Sequence, residues 1–476
     1  MIRLKTTDNS FGRTVSQMAV SKDCSLYDST TAYKNLFSLS NKTLKEIVTQ
    51  NPDLLVFPDC IEKSEDQIQE QPVITCDRTA TPESNPETVK IGTGNIAGFI
   101  GFPSIDNGKE VHLKITSRFV NDYPNNEDND FFLYYLLEKV FAVNLFDFKA
   151  LSRKGEFDFL LYLFPYYLKK ALSRGLFKTY TFYKRNDMNI CGQIDVARHI
   201  KENTPFRGNI ACNIRERTGN NYLIQLIRHT IEVIKSKSIG KHILSYDNQT
   251  RNAVDEIIRS TPSYQIRERN KVIKDNLKVL KHPYFTDYVH LQKLCLAILR
   301  RQKLNYGKDT KKIYGLLFDV AWLWEEYLAV LLKQHGFKHP QNKKGSGWLY
   351  LFENKNSSSE TDKNYSRIYP DFYKPDAWVL DAKYKKLTDG KISRDDMYQM
   401  ITYMHVMKIH NGGFLYPRKE TENDVNENKT FILKGYGGTI QTFGLKIPLT
   451  PSSMEDFAEK IKESEKEILE KIYDIL

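Results

Sequence analysis

Residues 368–385 read IYPDFYKPDAWVLDAKYK. Pro375-Asp376-Ala377 is a turn signal, because proline pre-sets the first turn dihedral and an Asp side chain bonds the local backbone. The turn folds a strand carrying Asp371 back on a second strand, 378–384, which carries Asp381 and Lys383. Alternate residues of a strand point to one face, so Asp381 and Lys383 project together and the hairpin returns Asp371 beside Asp381. Two carboxylates and an ammonium then meet next to the apolar run Trp378-Val379-Leu380. Adjacent carboxylates repel, and both stay ionised most easily with a cation between them. Oxygen donors with an open face suit Mg²⁺, with Mn²⁺ an acceptable replacement, and such an ion activates water and steadies an oxyanion. The lysine is placed to hold or polarise that water. The competing reading is a half-exposed hairpin with ordinary surface charges.

Pro370-Asp371 followed by Asp381-Ala382-Lys383 resembles the PD-(D/E)XK nuclease motif. In a chain with 27% charged residues, acid-x-Lys triplets also arise by chance, as at Asp147, Asp309, Glu353 and Glu427. None of these follows a Pro-Asp pair at hairpin distance. Pro375-Asp376 does precede Asp389-Gly390-Lys391, but those acids fall in turn-like sequence. The next segment, 393–410, reads as a helix with Ser393 as N-cap, Asp395 and Asp396 in its first turn, and Asn411-Gly412-Gly413 as its stop. Gln399 and Tyr403 lie four apart, hence on one face. A Q-x-x-x-Y pair after a D-x-K strand resembles the same site in several nucleases of this fold, although a lone Gln399 is more often plain helix surface. Upstream, 314–335 reads as one long helix, apolar nearly all round and therefore buried. Glu325 and Glu326 interrupt it. Buried carboxylates need a partner, and a metal is one; a solvated helix position is the alternative. The order helix, strand (348–352), strand, strand, helix, strand (413–416) resembles the αβββαβ order of the restriction-endonuclease-like core.

The length of 476 residues fits about three domains. Mean hydropathy is -0.52, with 40% apolar and 12% aromatic residues, which allows a sizeable core and argues against bulk disorder. A net charge of +11 and a pI near 9.0 favour a polyanion such as nucleic acid over an acidic small substrate. The six cysteines contain no C-x-x-C pair, which gives neither a zinc nor a disulfide pattern and points to a reducing cytoplasm. The N-terminus is polar and shows no signal peptide. The most apolar run, 157–168, is too short to span a bilayer.

Residues 64–87, rich in Pro, Thr, Ser, Glu and Gln, read as loop or linker. From 88 to 119 the pattern is one of strands with a hairpin turn at Asp106-Asn107-Gly108. The glycines of 92–98 fit neither G-x-G-x-x-G nor a Walker loop and read as bends in a small β-domain. No NTPase motif occurs in the sequence. Residues 131–304 are mainly helical. Within them, His199 beside Arg198 is better read as structural than as a phosphate contact. The clusters Arg267, Arg269, Lys271, Lys274 and Arg300, Arg301, Lys303 suit a DNA backbone or, equally, a solvated helix face. Segments 413–416, 431–434 and 439–447 read as strands extending a sheet. The amphipathic 454–475 helix either packs on the fold or joins subunits.

Four runs narrow the resemblance: G-x-I-D-x-x-R-H (192–199), C-x-x-R-E-x-T-x-N-N (212–221), L-W-E-E-Y (323–327), and P-D…D-A-K-Y-K with D-x-Y-Q-M-x-x-Y (396–403). Together they are similar to the McrC family, the nuclease subunit of McrBC-type modification-dependent restriction systems, and to LlaJI-type restriction proteins. The resemblance spans 90–450 and is strongest over 318–416. It implies metal ligation by Asp371, Asp381 and Glu325, with Glu326 the neighbouring alternative. It also implies the catalytic lysine role for Lys383 and site support from Gln399 and Tyr403. The segment NIAGFIGF…VHLKI is similar to the region that in the family reaches into the ring of the McrB GTPase.

The expected fold class is α+β and multidomain, with an N-terminal β-rich region, a helical middle region and a C-terminal restriction-endonuclease-like αβββαβ core. The expected segments are 1–87, mixed with a linker; 88–130, a small β-domain contacting a partner; 131–310, mainly helical; and 311–476, a PD-(D/E)XK nuclease domain. The function implied is a Mg²⁺-dependent DNA endonuclease subunit in anti-phage defence. Its partners would be DNA, an McrB-like AAA+ GTPase ring and a second copy of itself for double-strand cleavage, with no membrane. A stand-alone sequence-specific endonuclease and a non-catalytic DNA-binding or assembly subunit are the alternatives.

Overall fold

The computed structural model describes residues 2–20, 26–40, 42–51, 54–57, 72–103, 109–120, 130–141, 159–237, 240–245, 247–304, 313–340, 348–352, 367–385, 392–420, 429–435 and 437–473. The chain packs as two units, Met1–Lys154 with Thr310–Leu476, and Gly155–Asp309.

The first unit contains two five-stranded sheets. One has the order Ile2–Thr7, Val111–Thr116, Ile96–Phe102, Tyr314–Asp319, Leu54–Phe57. Ile2–Thr7 alternates buried and open side chains, as a strand with one covered face should. Ile96–Phe102 and Tyr314–Asp319 are buried almost throughout, as inner strands covered on both faces. This explains the first departure from the sequence expectation. Residues 314–319 are a strand and not the start of a helix, because a continuous apolar run fits either element until its neighbours are known. Backbones approach closely here. A Cβ at Gly315 (φ +156°) would fall 2.3 Å from the Phe99 carbonyl oxygen, and one at Gly98 (φ +138°) 2.0 Å from that of Leu316. The helix begins only at Val320–Lys333, where the Asp319 side chain accepts from Trp322 N at 3.1 Å. It buries one face through Leu323, Trp324, Tyr327, Leu328 and Leu332, while Val330 is exposed, so it is amphipathic and not buried all round.

Segment 88–130 also differs from expectation. Ile96–Phe102 and Val111–Thr116 pair antiparallel as a hairpin, though its 106–108 turn lies outside the described residues. Each strand is paired on its other side too, with Tyr314–Asp319 and Ile2–Thr7, so both are interior strands without a free edge. Residues 74–76, expected as linker, form a strand paired with Ile91–Thr93, and Val73 and Ile74 are wholly buried in the core. Residues 64–71 lie outside the described residues.

The second sheet has the order Phe372–Lys374, Trp378–Ala382, Asn411–Lys419, Thr439–Ile447, Thr430–Ile432. The first and last pairs are antiparallel and the two central ones parallel. Helix Arg394–Met407 makes the crossover between the parallel strands Trp378–Ala382 and Asn411–Lys419. Lys408, at φ +55°, ends that helix in the left-handed conformation. The expected stop residues Asn411, Gly412 and Gly413 belong to the following strand. The expected strand at 348–352 stays out of this sheet: among the described residues, Leu349–Tyr350 pairs only with Arg367–Ile368, as a separate ribbon. The terminal helix Met454–Tyr473 packs on the fold, with the Tyr135 and Tyr327 hydroxyls donating to Glu465 Oε1 at 2.8 and 2.6 Å. No described helix is long and apolar enough to cross a membrane. The described cysteines, Cys76, Cys191, Cys212 and Cys295, are free thiols.

The second unit is mainly helical and carries a three-stranded arm in the order Thr179–Asp187, Ile210–Thr218, Gln193–Ile194. Arg198 ties the arm together by donating to the carbonyls of Arg185 and Cys212 at 3.0 and 2.9 Å. His199 Nδ1 accepts from Asn203 at 3.0 Å, a structural role. The arm's outer surface is unusually apolar, with Tyr180, Phe182, Met188 and Phe206 all exposed.

In helix Tyr222–Lys235 of this unit, His229 is wholly buried, and neither ring nitrogen has a hydrogen-bond partner among the described residues. Burial, helped by the charges of Arg269 and Arg228, pushes its pKa down from 6.5 to about 4. The folded state therefore holds fewer protons than the unfolded chain between those values, and stability falls as pH drops through that window. By pH 4 the expected loss is about 3 kcal/mol. Thermal unfolding of the wild type and of His229→Leu across that range checks it; the variant's curve should be flatter.

Candidate active site

The hairpin closes through a turn in which Ala377 N donates to Lys374 O at 3.1 Å and Asp376 takes φ +59°. A type II turn needs a left-handed residue at its second central position and favours proline at the first, and Pro375-Asp376 fits both. The pairing of Phe372 with Leu380 extends to place Asp371 opposite Asp381. Asp371 itself lies in the bend before strand Phe372–Lys374, not on the expected strand. Its Oδ2 accepts from Ala382 N at 2.7 Å, which holds the carboxylate against the end of the Trp378–Ala382 strand. Lys383 continues that strand's ladder by donating its backbone N–H to Leu415 O at 2.8 Å.

Lys383 Nζ is the hub of the site. It forms an ion pair with Asp381, 2.7 Å from Oδ2. It is also 3.2 Å from Asp396 Oδ1 and donates to Gln399 Oε1 at 3.3 Å. From there Gln399 Nε2 donates to Tyr403 Oη at 2.8 Å, and the Tyr403 hydroxyl donates to Tyr369 O at 2.8 Å. Asp396 is held in turn by the Ser393 hydroxyl at 2.5 Å and by Lys385. On the other side, His339 Nδ1 donates to the Asp371 carbonyl at 2.8 Å, and its Nε2 lies 3.9 Å from Glu325 Oε1.

Electrostatics separates these groups. Burial, then the charges of Asp381 and Glu325, hold the Asp371 carboxyl well above the usual carboxylate range. Asp371 as a residue is half-buried, while its carboxyl is densely surrounded. Burial also raises Asp381, against the opposing pull of Lys383. Burial alone would lower Lys383, but Asp381, then Asp396 and Asp371, outweigh it and hold the amine above its ordinary value. It is therefore an ammonium at neutral pH. Asp396 is pushed below the carboxylate range because its bonds from Lys385 and Ser393 and the charge of Lys383 outweigh its burial.

Asp371, Asp381, Lys383, Gln399 and Tyr403 thus meet, and Glu325 reaches the cluster through its field on Asp371. Two participants were not singled out from sequence. Asp396 had a signal, since it opens the D-x-Y-Q run; His339, which follows a helix in irregular chain, had none. Among the described residues, no three His, Cys, Asp or Glu side chains are gathered tightly enough to ligate one metal ion as they stand. The Lys383 ammonium supplies the positive charge at this point. The donor chemistry nonetheless fits a hard divalent ion: the candidate ligands are all carboxylate oxygens, and Asp381 and Glu325 both push Asp371 toward protonation.

The family model described as McrBC 5-methylcytosine restriction system component matches residues 91–417. No curated protein matches the chain. Among solved structures, the chain is similar to the refined half-complex from the tetradecameric assembly of Thermococcus gammatolerans McrB AAA+ hexamers with bound McrC. The identity there is 15%, over 97% of this chain and 99% of that one, at a TM-score of 0.47. It is also similar to the cryo-EM structure of the Thermococcus gammatolerans McrBC complex, at 14% identity over 70% and 87% of the two chains and a TM-score of 0.29.

Proposed function

Because the chain belongs to the family of McrBC 5-methylcytosine restriction system components, we propose that it is the DNA-cleaving subunit of such a system, a Mg²⁺-dependent endodeoxyribonuclease acting in anti-phage defence. The observation that carries this reading is the meeting of Asp371, Asp381 and Lys383 at the end of one hairpin. In this reading Asp371, Asp381 and Glu325 hold the ion, which when bound supplies an activated water and charge stabilisation. Lys383, kept as an ammonium by Asp381 and Asp396, acts as a charged donor that orients the attacking water or the phosphate, not as a base. Gln399 and Tyr403 fix where that amine points. The resemblance to PD-(D/E)XK nucleases supports these roles.

Partner dependence belongs to the same proposal. The sequence has no NTPase motif, so a GTP-driven AAA+ ring would have to come from another chain. Besides segment 88–130, a surface that suits such a partner is the apolar arm, Thr179–Asp187 with Ile210–Thr218. The test is cleavage of methylated plasmid DNA with Mg²⁺, with and without the cognate GTPase and GTP. Cleavage only with the partner is expected. Cleavage by the chain alone would indicate a stand-alone endonuclease, and none in either case would leave a non-catalytic subunit.

A further inference from the structure

The ribbon of Leu349–Tyr350 and Arg367–Ile368 has two unlike faces. Its register pairs Leu349 with Ile368 and Tyr350 with Arg367. Ile368 packs against the cluster of Val379, Met400 and Tyr403. Alternation therefore puts Tyr350 with Arg367 on the opposite face, where Arg367 also meets Trp348, and Phe352 follows in the bend just after the strand. Tyr350 is 46% and Phe352 63% exposed, and the Arg367 guanidinium lies 4.4 Å from the Trp348 ring centroid. Three aromatic residues within five positions, two of them exposed, with a cation stacked on the third, form a local cluster and not a scatter of single exposed residues. The ribbon leads along the chain directly into the candidate site. Only Tyr369 and Pro370 separate the ribbon from Asp371, and the Tyr369 carbonyl accepts from the Tyr403 hydroxyl at 2.8 Å.

We propose that this face is a stacking platform for unpaired DNA bases next to the scissile phosphate. The inference rests on the DNA-cleavage reading and adds to it the form of strand that the site takes. Aromatic faces stack on any base without reading sequence, and an arginine among them meets phosphate or a ring face. Charge favours a polyanion over a protein partner: the patch carries Arg367, and the chain has a net charge of +11. In a closed duplex the base faces are already stacked on one another, so the platform engages a frayed or unwound strand.

The test uses the full chain with Ca²⁺, fluorescence anisotropy, and two probes, a single-stranded oligonucleotide and a blunt duplex of the same sequence. In the double variant Tyr350→Leu/Phe352→Leu, affinity for the single strand is expected to fall about 30-fold, with duplex affinity changed less than about twofold. Tyr350→Trp/Phe352→Trp should bind as the wild type does. Both side-chain pairs are exposed, so thermal unfolding of the variants should match the wild type. Unchanged single-strand affinity, an equal loss on both probes, or a loss only of partner assembly would overturn the proposal. Selective loss of single-strand binding in a chain that cleaves nothing would keep the platform and remove the nuclease reading. Cleavage by the wild type with no binding defect in the Leu variant would do the reverse.

Discussion

Replacing Asp381 by Asn is expected to reduce Mg²⁺-dependent DNA cleavage by at least about 10³-fold, a loss of about 4 kcal/mol of transition-state stabilisation. The same change should make the metal-free chain more stable. Asp381 is buried, and its pKa is raised, so ionising it costs folding free energy at neutral pH. A neutral isostere removes that cost and also lifts one of the charges acting on Asp371. The sign with pH follows. A carboxyl whose folded pKa is raised keeps more protons folded than unfolded, so the wild type should lose stability relative to the variant as pH rises above the ordinary carboxylate range. Lys383 keeps Asp396 and Gln399 as partners, so the variant does not strand the amine. Thermal unfolding with and without Ca²⁺, beside a cleavage assay, checks both parts: the Ca²⁺-induced rise in Tm should largely vanish. Cleavage at the wild-type rate by the Asn variant would reject the site.

Lys383→Met should also suppress cleavage, by about 10²–10⁴-fold, but with the opposite effect on folding. It removes the cation that lies 2.7 Å from Asp381 and leaves that buried carboxylate without its ion-pair partner. Breaking a buried pair from one side typically costs about 3–5 kcal/mol. The metal-free Met variant should therefore melt well below the wild type, and added Ca²⁺ should restore part of the difference by supplying positive charge near the acids. Urea unfolding with and without Ca²⁺ measures this. A Met variant as stable as the wild type in metal-free buffer would mean that the amine does not neutralise this site.

Much of the candidate site's geometry was legible because its determinants are local. Pro375-Asp376 sets the turn, the turn sets the register, and the register places Asp371 opposite Asp381. The i, i+4 spacing of Gln399 and Tyr403 likewise predicted one helix face, and the two side chains are bonded at 2.8 Å. What was not legible involves partners that meet across the chain. Asp396 was legible as a first-turn acid, but its ion pair with Lys383 depends on how the crossover helix lies on the sheet. The strand at 314–319 was hidden because burial on both faces erases the alternation that distinguishes strand from helix. The strands of 88–130 looked like a separate small domain because sequence carries no sign of which edges will be paired.

By itself the sequence determined the hairpin and the face on which its acids and lysine meet, because turn dihedrals and two-residue alternation act within about ten residues. Only the tertiary structure decided that Glu325 reaches Asp371, that His339 ties to the Asp371 backbone, and that the outer face of the ribbon is aromatic and open. The reason is physical. Charge coupling and burial depend on which distant segments exclude water from a given point, and that is set by packing, not by neighbours along the chain.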